Sequence, residues 1–220
     1  MNVSDALLKR KSIRAFTNQE VSQDLIIQIL DKARYSPSGT NTQPWEVAVV
    51  TGRKKYELDN VLLNSFKNNE AKNMDYNYYP LKLSDVLQER RRACGLQMYS
   101  ALGITTRDTD KRVEQWAKNY TAFGAPCVIF IFADKCIEKG SYLDLGMFIQ
   151  SIMLMATELG LATCAQASLA EQPQIVKKLL DNYYDKILIC GIAIGYEDST
   201  NVINSYRTAR EEVNKFTRFY

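Results

Sequence analysis

Histidine does not occur anywhere in this 220-residue chain. Its absence removes the usual zinc sites, the Ser-His-Asp triad and every histidine general base. Chemistry here has to rest on carboxylates, thiols, lysines or a bound cofactor. The five cysteines, at 94, 127, 136, 164 and 190, form no CxxC pair and are odd in number, which suits reduced thiols in a reducing compartment. Neither GxGxxG nor GxxxxGK(S/T) occurs, so a Rossmann dinucleotide domain and a P-loop are not expected. Charge of a single sign is also missing. The net charge is only +3, and the basic runs RKSIR, GRKK and ERRR are separated by acidic residues, so no nucleic-acid partner is expected. The longest apolar stretch, Tyr142 to Ala162, is interrupted by Asp144, Gln150 and Glu158 and reads as a buried helix, not a membrane span. The opening MNVSDALLKRKS lacks the apolar core of a signal peptide, and a cytoplasmic location is the expectation.

The 46% hydrophobic and 24% charged residues are those of an ordinary globular protein, and the length predicts one domain over 1–220. Ser22 is a good N-cap, and Leu25, Ile26, Ile29, Leu30 and Ala33 follow at helical spacing until Pro37. EVAVVT reads as a strand after the loop 36–45, and the isoleucine-rich runs 127–133 and 187–194 read as fully buried strands. Polar-faced helices are predicted over 84–102 and 110–122. An apolar helix is predicted over 142–160, stopped by Gly160, with a shorter one near 171–180. Three strands separated by long helical stretches indicate an α/β layered fold.

Four stretches carry polar groups of chemical interest. In Arg10-Lys11-Ser12-Ile13-Arg14, an extended backbone projects Arg10, Ser12 and Arg14 to one side, two guanidinium forks around a hydroxyl that suit a phosphate; a solvated basic turn is the competing reading. In PSGTNTQPW, Pro37 and Pro44 restrict both ends and Pro44 disfavours helical angles at Gln43. Gly39 permits unusual dihedrals, Trp45 is a core anchor, and Ser38 and Asn41 are held as short polar groups suited to a heteroaromatic edge; a well-made structural turn competes. In GLATCAQASLAEQP, small side chains allow a ligand close to main-chain N–H groups near Ala165 and Gln166, with plain packing as the alternative. Arg207 and Arg210 lie three apart near the C-terminus, where arginines are commonly just solvated.

In their order along the chain, RKSIRAF, PSGTNTQPW, GLATCAQASL, GIAIGYED and YRTAR resemble the pattern of the flavin-dependent nitroreductase family. The resemblance implies an α/β (α+β) fold with a central mixed sheet flanked by helices, and a homodimer holding FMN at the subunit interface. It implies that Arg10, Ser12 and Arg210 bind the phosphate, with Arg207 weaker and Lys11 assisting through backbone or charge. Arg14 then approaches the pyrimidine edge of the flavin, where negative charge collects on reduction. Pro37, Ser38 and Asn41 contact the partner's flavin, and the backbone of Ala165, Gln166 and Ala167 bonds near N5 and O4. The reaction implied is ping-pong hydride transfer from NADH or NADPH through FMN to a nitroaromatic, quinone or related small molecule, without a protein catalytic residue or metal. A reductive dehalogenase, an enone reductase or a non-catalytic flavin-binding protein of the same family are the alternatives. The apolar helix 142–160 is assigned to core or dimer seam, the seam being favoured. The acceptor pocket is placed within 60–120, with Tyr76, Tyr78 and Tyr79 as lining or lid, or as plain packing.

Overall fold

The computed structural model describes all residues, 1–220. Four strands, β1 (Glu46–Thr51), β2 (Cys127–Asp134), β3 (Ala162–Gln166) and β4 (Lys186–Gly195), form one sheet in the order β1-β2-β4-β3. Every neighbouring pair is antiparallel. The helix-flanked α/β (α+β) fold is as expected, but the central mixed sheet that the resemblance implies is corrected to an antiparallel one: α6 (Lys139–Glu158) connects β2 to β3, which run the same way, with β4 between them. Parallel pairing survives only as an isolated bridge between Ser12 and Thr163.

The apolar runs are continuous because both faces of the sheet are covered. Along β2, Val128, Phe130 and Phe132 enter a core with Leu58, Leu62, Tyr120 and Val176. The alternate residues Cys127, Ile129 and Ile131 enter a second core with Ile26, Ile29, Leu145, Phe148 and Ile152. Period-two alternation therefore distributes one apolar strand between two layers. The first layer is built on α3 (Gly52–Lys67) and α7 (Pro173–Leu180), the second on α2 (Gln23–Ala33) and α6.

Ser22 caps α2 as expected, its hydroxyl accepting the Leu25 N–H at 3.3 Å. Gly160 stops α6 with φ +78°, and Leu161 N–H returns to Ala156 O at 2.8 Å. Helix α4 (Asp85–Ala101) lies where expected and buries none of its residues. The predicted helix 110–122 is shorter. It ends as α5 (Thr109–Ala117), because the chain passes through a tight 3-10 turn with Ala122 and Phe123 at φ 49° and 57° before entering β2. Strand β3 escaped the sequence reading, since ATCAQ has a single β-branched residue, Thr163, and no aromatic one to mark a strand. No helix is long and apolar enough to cross a membrane.

Candidate functional site

The N-terminal helix α1 (Val3–Lys9) ends at Arg10, and the chain then runs extended along the free edge of β3. Ile13 N–H donates to Thr163 O at 3.0 Å, and the Ile13 side chain is buried in the first core. Arg10, Ser12 and Arg14 are left to line a cavity of about 160 Å³. The chain returns to the same place 190 residues later. After β4, Asp198 N–H bonds Ala15 O, and a 3-10 turn (Val202–Asn204) leads Tyr206, Arg207 and Arg210 to the far wall of that cavity.

Asn204 ties the two segments together. Its Oδ1 accepts the Arg14 N–H at 2.9 Å, and its Nδ2 donates to Ala15 O at 2.9 Å and to Asp198 O at 3.0 Å. Its carbonyl accepts from Lys11 Nζ. The side chain is only 3% exposed, so these are desolvated bonds whose loss leaves orphaned groups. We expect Asn204→Ala to lower stability by about 3 kcal/mol, read as a lower urea midpoint, and to weaken ligand retention in the cavity. Sequence offered no signal for this role beyond an asparagine in a loop.

The electrostatics of the cavity are lopsided. Arg10, Arg14, Arg207 and Arg210 line it with no acidic side chain among the lining residues. None of the four has an ion-pair partner within 4 Å. Burial, then the guanidiniums of Arg210 and Arg207, hold Arg10 below its ordinary range. Lys11 differs, since its ammonium is engaged by Glu197 at 2.9 Å. Arg207 donates to the carbonyls of Leu7 and Arg10 at 3.4 and 3.0 Å, closing the C-terminus of α1. Arg14 Nη1 donates to the Tyr206 hydroxyl at 3.2 Å, which pins its fork from one side. Cys94 of α4 also lines this cavity, and Cys164 lies behind it with its thiol pushed up by burial against the pull of Arg14, Ser12 and Arg10.

The loop 36–45 is built on α6 and does not line the arginine cavity of its own chain. Gly39 N–H donates to both oxygens of Asp144 at 3.3 Å, and the Ser36 hydroxyl meets Ser151 Oγ at 2.8 Å. Trp45 stacks on Phe148 with ring centroids 4.5 Å apart and planes within 4°. Inside the loop, Ser38 Oγ accepts the Gln43 N–H at 2.9 Å, which holds Pro37, Ser38 and Asn41 in one rigid turn. The unusual dihedrals fall elsewhere than expected: Gly39 is ordinary, while Thr40, Asn41 and Gln43 have φ of 48°, 59° and 48°. Left-handed backbone costs about 1–2 kcal/mol at residues such as Thr40 and Gln43, and less at Asn41, whose short amide tolerates it, strain of the kind that marks binding loops.

The third expected piece lies at the end of the β3 edge. Thr163 O faces Ile13, so by period two the N–H and C=O of Ala165 face the same open edge, just beyond the segment carrying Ser12 and Arg14. The Gln166 backbone turns the other way, paired opposite Gly191 of β4. Its side-chain Nε2 bonds Asn119 O at 3.1 Å, while Oε1 is buried without a partner. Ala167 begins the 3-10 turn that follows. One chain thus unites the six residues 10, 11, 12, 14, 207 and 210, and leaves 37, 38, 41 and 165–167 on neighbouring surfaces.

A sheet covered by helices on both faces, with arginines clustered at a strand edge and no acidic side chain among them, is an α/β fold whose site has the charge suited to an anion. The family model described as the Nitroreductase family matches residues 7–196, and the chain belongs to that family. The 4-nitrobenzoate reductase of Pseudomonas putida is 34% identical over 210 residues, covering 96% of this chain and 92% of that protein. Two solved structures superpose over the whole chain. The FMN and NADPH-dependent nitroreductase NfnB from Sphigopyxis sp. strain HMH gives a TM-score of 0.96 at 32% identity, covering 100% of this chain and 99% of that one. The FMN-dependent nitroreductase NfnB from Mycobacterium smegmatis, in complex with NADPH, gives 0.94 at 33% identity, covering 100% of both chains.

Proposed function

We propose that this chain is an FMN-dependent oxidoreductase that carries electrons from NADH or NADPH to a nitroaromatic, quinone or related small acceptor. In this reading residues 1–220 are a single domain, and the protein works in the cytoplasm as a homodimer. The observation that carries it is the cavity lined by four arginines and Ser12 with no acidic side chain among the lining residues. Like charges gathered at partial burial are unfavourable unless an anion joins them, and a phosphate monoester matches guanidinium forks in geometry and charge. The residues present therefore fit FMN. Family membership, and the FMN and NADPH named for the two superposing structures, support the same choice.

Arg10, Ser12 and Arg210 bind the phosphate, Arg207 closes the wall by holding α1, and Lys11 holds the strap through Glu197 and Asn204. When bound, FMN supplies the hydride-accepting and hydride-donating centre for two alternating half-reactions, so the chain itself needs no histidine acid. Arg14, held by Tyr206, places a fixed cation where the reduced ring gathers negative charge. Ala165 and Ala167 offer edge N–H groups, with Gln166 keeping the strand in register. Pro37, Ser38 and Asn41 serve the partner's site, because their loop rests on α6, whose outward face leaves Leu143 73% and Met147 38% exposed in a single chain. Covering that apolar face is the physical reason for the dimer.

The direct test is the absorption spectrum of the purified protein, followed by anaerobic NADH or NADPH and then a nitroaromatic. Bleaching and recovery of a bound flavin is the expected result; a colourless protein that takes up no added FMN overturns the reading. Arg14→Ala is expected to make the flavin's midpoint potential more negative by on the order of 30 mV, corresponding to about 1.4 kcal/mol for a two-electron couple, since the reduced form loses its cation. Spectroelectrochemical titration measures it.

A further inference from the structure

Helix α4 carries a second group of unpaired cations, on the face turned away from the phosphate cavity. One face belongs to the site already described: Arg90 pairs with Glu211 at 3.1 Å, Gln97 Nε2 donates to Arg207 O at 2.9 Å, and Cys94 lines the arginine cavity. The opposite face, with α5 and the turn 80–83, borders a separate open groove of about 720 Å³. Lys82, Arg91, Arg92 and Arg112 line it against a single carboxylate, Asp85. We propose that this space is a recognition site for a small ligand bearing an anionic oxygen group, a carboxylate or a phosphate.

Three observations carry the assignment. The volume is that of a small-molecule site. Arg91, Arg92 and Arg112 make no ion pair within 4 Å, whereas Arg90, one position earlier on the same helix, does. Two of the three are also held in place by aromatic rings: Arg91 lies over Tyr79 at 4.9 Å and Arg112 over Tyr99 at 4.8 Å. A ring face fixes the guanidinium plane while leaving its N–H edge free, the arrangement that binds a planar carboxylate or a phosphate in two-pronged fashion. Leu83 and Leu96 line the same space and give an aromatic body an apolar surface. The face bearing Arg91, Gly95 and Tyr99 is one helix width, about 10 Å, from the face bearing Arg90, Cys94 and Gln97, so a ligand here is distinct from the phosphate of the cofactor.

The identity of the ligand rests on the function proposed above, which offers two sources for the anion: a carboxylated acceptor, or the 2′-phosphate of NADPH. Calorimetric binding to the purified protein separates them with two matched pairs, benzoate against benzamide and 2′-AMP against adenosine. The charged member of at least one pair is expected to bind about 10-fold tighter or more, the difference that charge-assisted bonds give. Preference within the benzoate pair assigns the acceptor, and within the nucleotide pair the donor. In R91Q/R112Q, whose FMN content serves as the check on folding, that preference should fall to near unity. If the double variant does not fold, R92Q and added salt in the wild-type protein are expected to reduce the preference in the same direction. No preference in the wild type, or a preference that survives these changes, overturns the site. The measurement does not need turnover: a protein that discriminates the pairs yet binds no FMN defeats the function and keeps the site, and a working flavoenzyme that does not discriminate does the reverse.

Discussion

Arg10→Ala combined with Arg210→Ala is expected to give protein that purifies almost free of FMN. Each guanidinium–phosphate contact is a charge-assisted hydrogen bond worth about 1.5–3 kcal/mol, and the two lost together weaken binding by roughly 10²- to 10⁴-fold. The fold itself should not suffer. Neither side chain has an ion-pair partner, Arg210 Nη1 donates only to Thr208 and the Ala209 carbonyl, and Arg10 is held down by burial and by its neighbours' charge. Removing like charge from an empty cage relieves repulsion, so the cofactor-free variant should melt no lower than cofactor-free wild type. The contrast decides the assignment. Titration with FMN, followed by fluorescence quenching, should show the loss of affinity, and thermal unfolding of the cofactor-free proteins should show no loss of stability. Stoichiometric FMN in the double variant contradicts the phosphate role.

Asp75→Ala is expected to destabilise the protein by about 3–5 kcal/mol, the penalty for stranding a buried charge. Lys177 is 1% exposed, and its ammonium meets Asp75 Oδ2 at 2.7 Å. The same oxygen accepts the Leu188 N–H at 2.8 Å, at the start of β4, so the substitution leaves two polar groups without partners in one step. The midpoint of thermal unfolding should fall by about 6–20 °C, at about 2–4 °C per kcal/mol for a chain of this size. Pairing the change with Lys177→Met should restore much of the loss, because a buried ion pair is replaced by an apolar contact without leaving a charge behind. A loss below about 1 kcal/mol in the single variant shows that water reaches Lys177. The consequence reaches function through the chain: Asp75 and Tyr76, whose hydroxyl donates to Ile189 O at 2.7 Å, fasten the segment leading into α4, which borders both cavities.

How much of this was legible beforehand differs from element to element. The runs at 127–133 and 187–194 announced buried strands because both of their faces are covered, and Ser22 and Gly160 marked helix ends through bonds made within a few residues. Period two in Arg10, Ser12 and Arg14 was readable for the same reason. Strand β3 was not, since its small residues owe their extended form to pairing with β4 and not to their own preference. Nor could the left-handed turn be placed at Thr40, Asn41 and Gln43 in preference to Gly39, because a bond from Gly39 N–H to Asp144, 105 residues away, holds that loop.

The amino-acid order by itself determined the helices and strands with strong periodicity, the exclusion of histidine chemistry, and the residue types able to hold a phosphate. These follow from interactions between near neighbours in the chain. Tertiary structure alone decided the antiparallel order of the sheet, the knot at Asn204 that brings Arg210 to Arg10, and the division of α4 into two cationic faces. Such arrangements depend on contacts between segments as much as 200 residues apart, which are stable only once the whole core has closed around them.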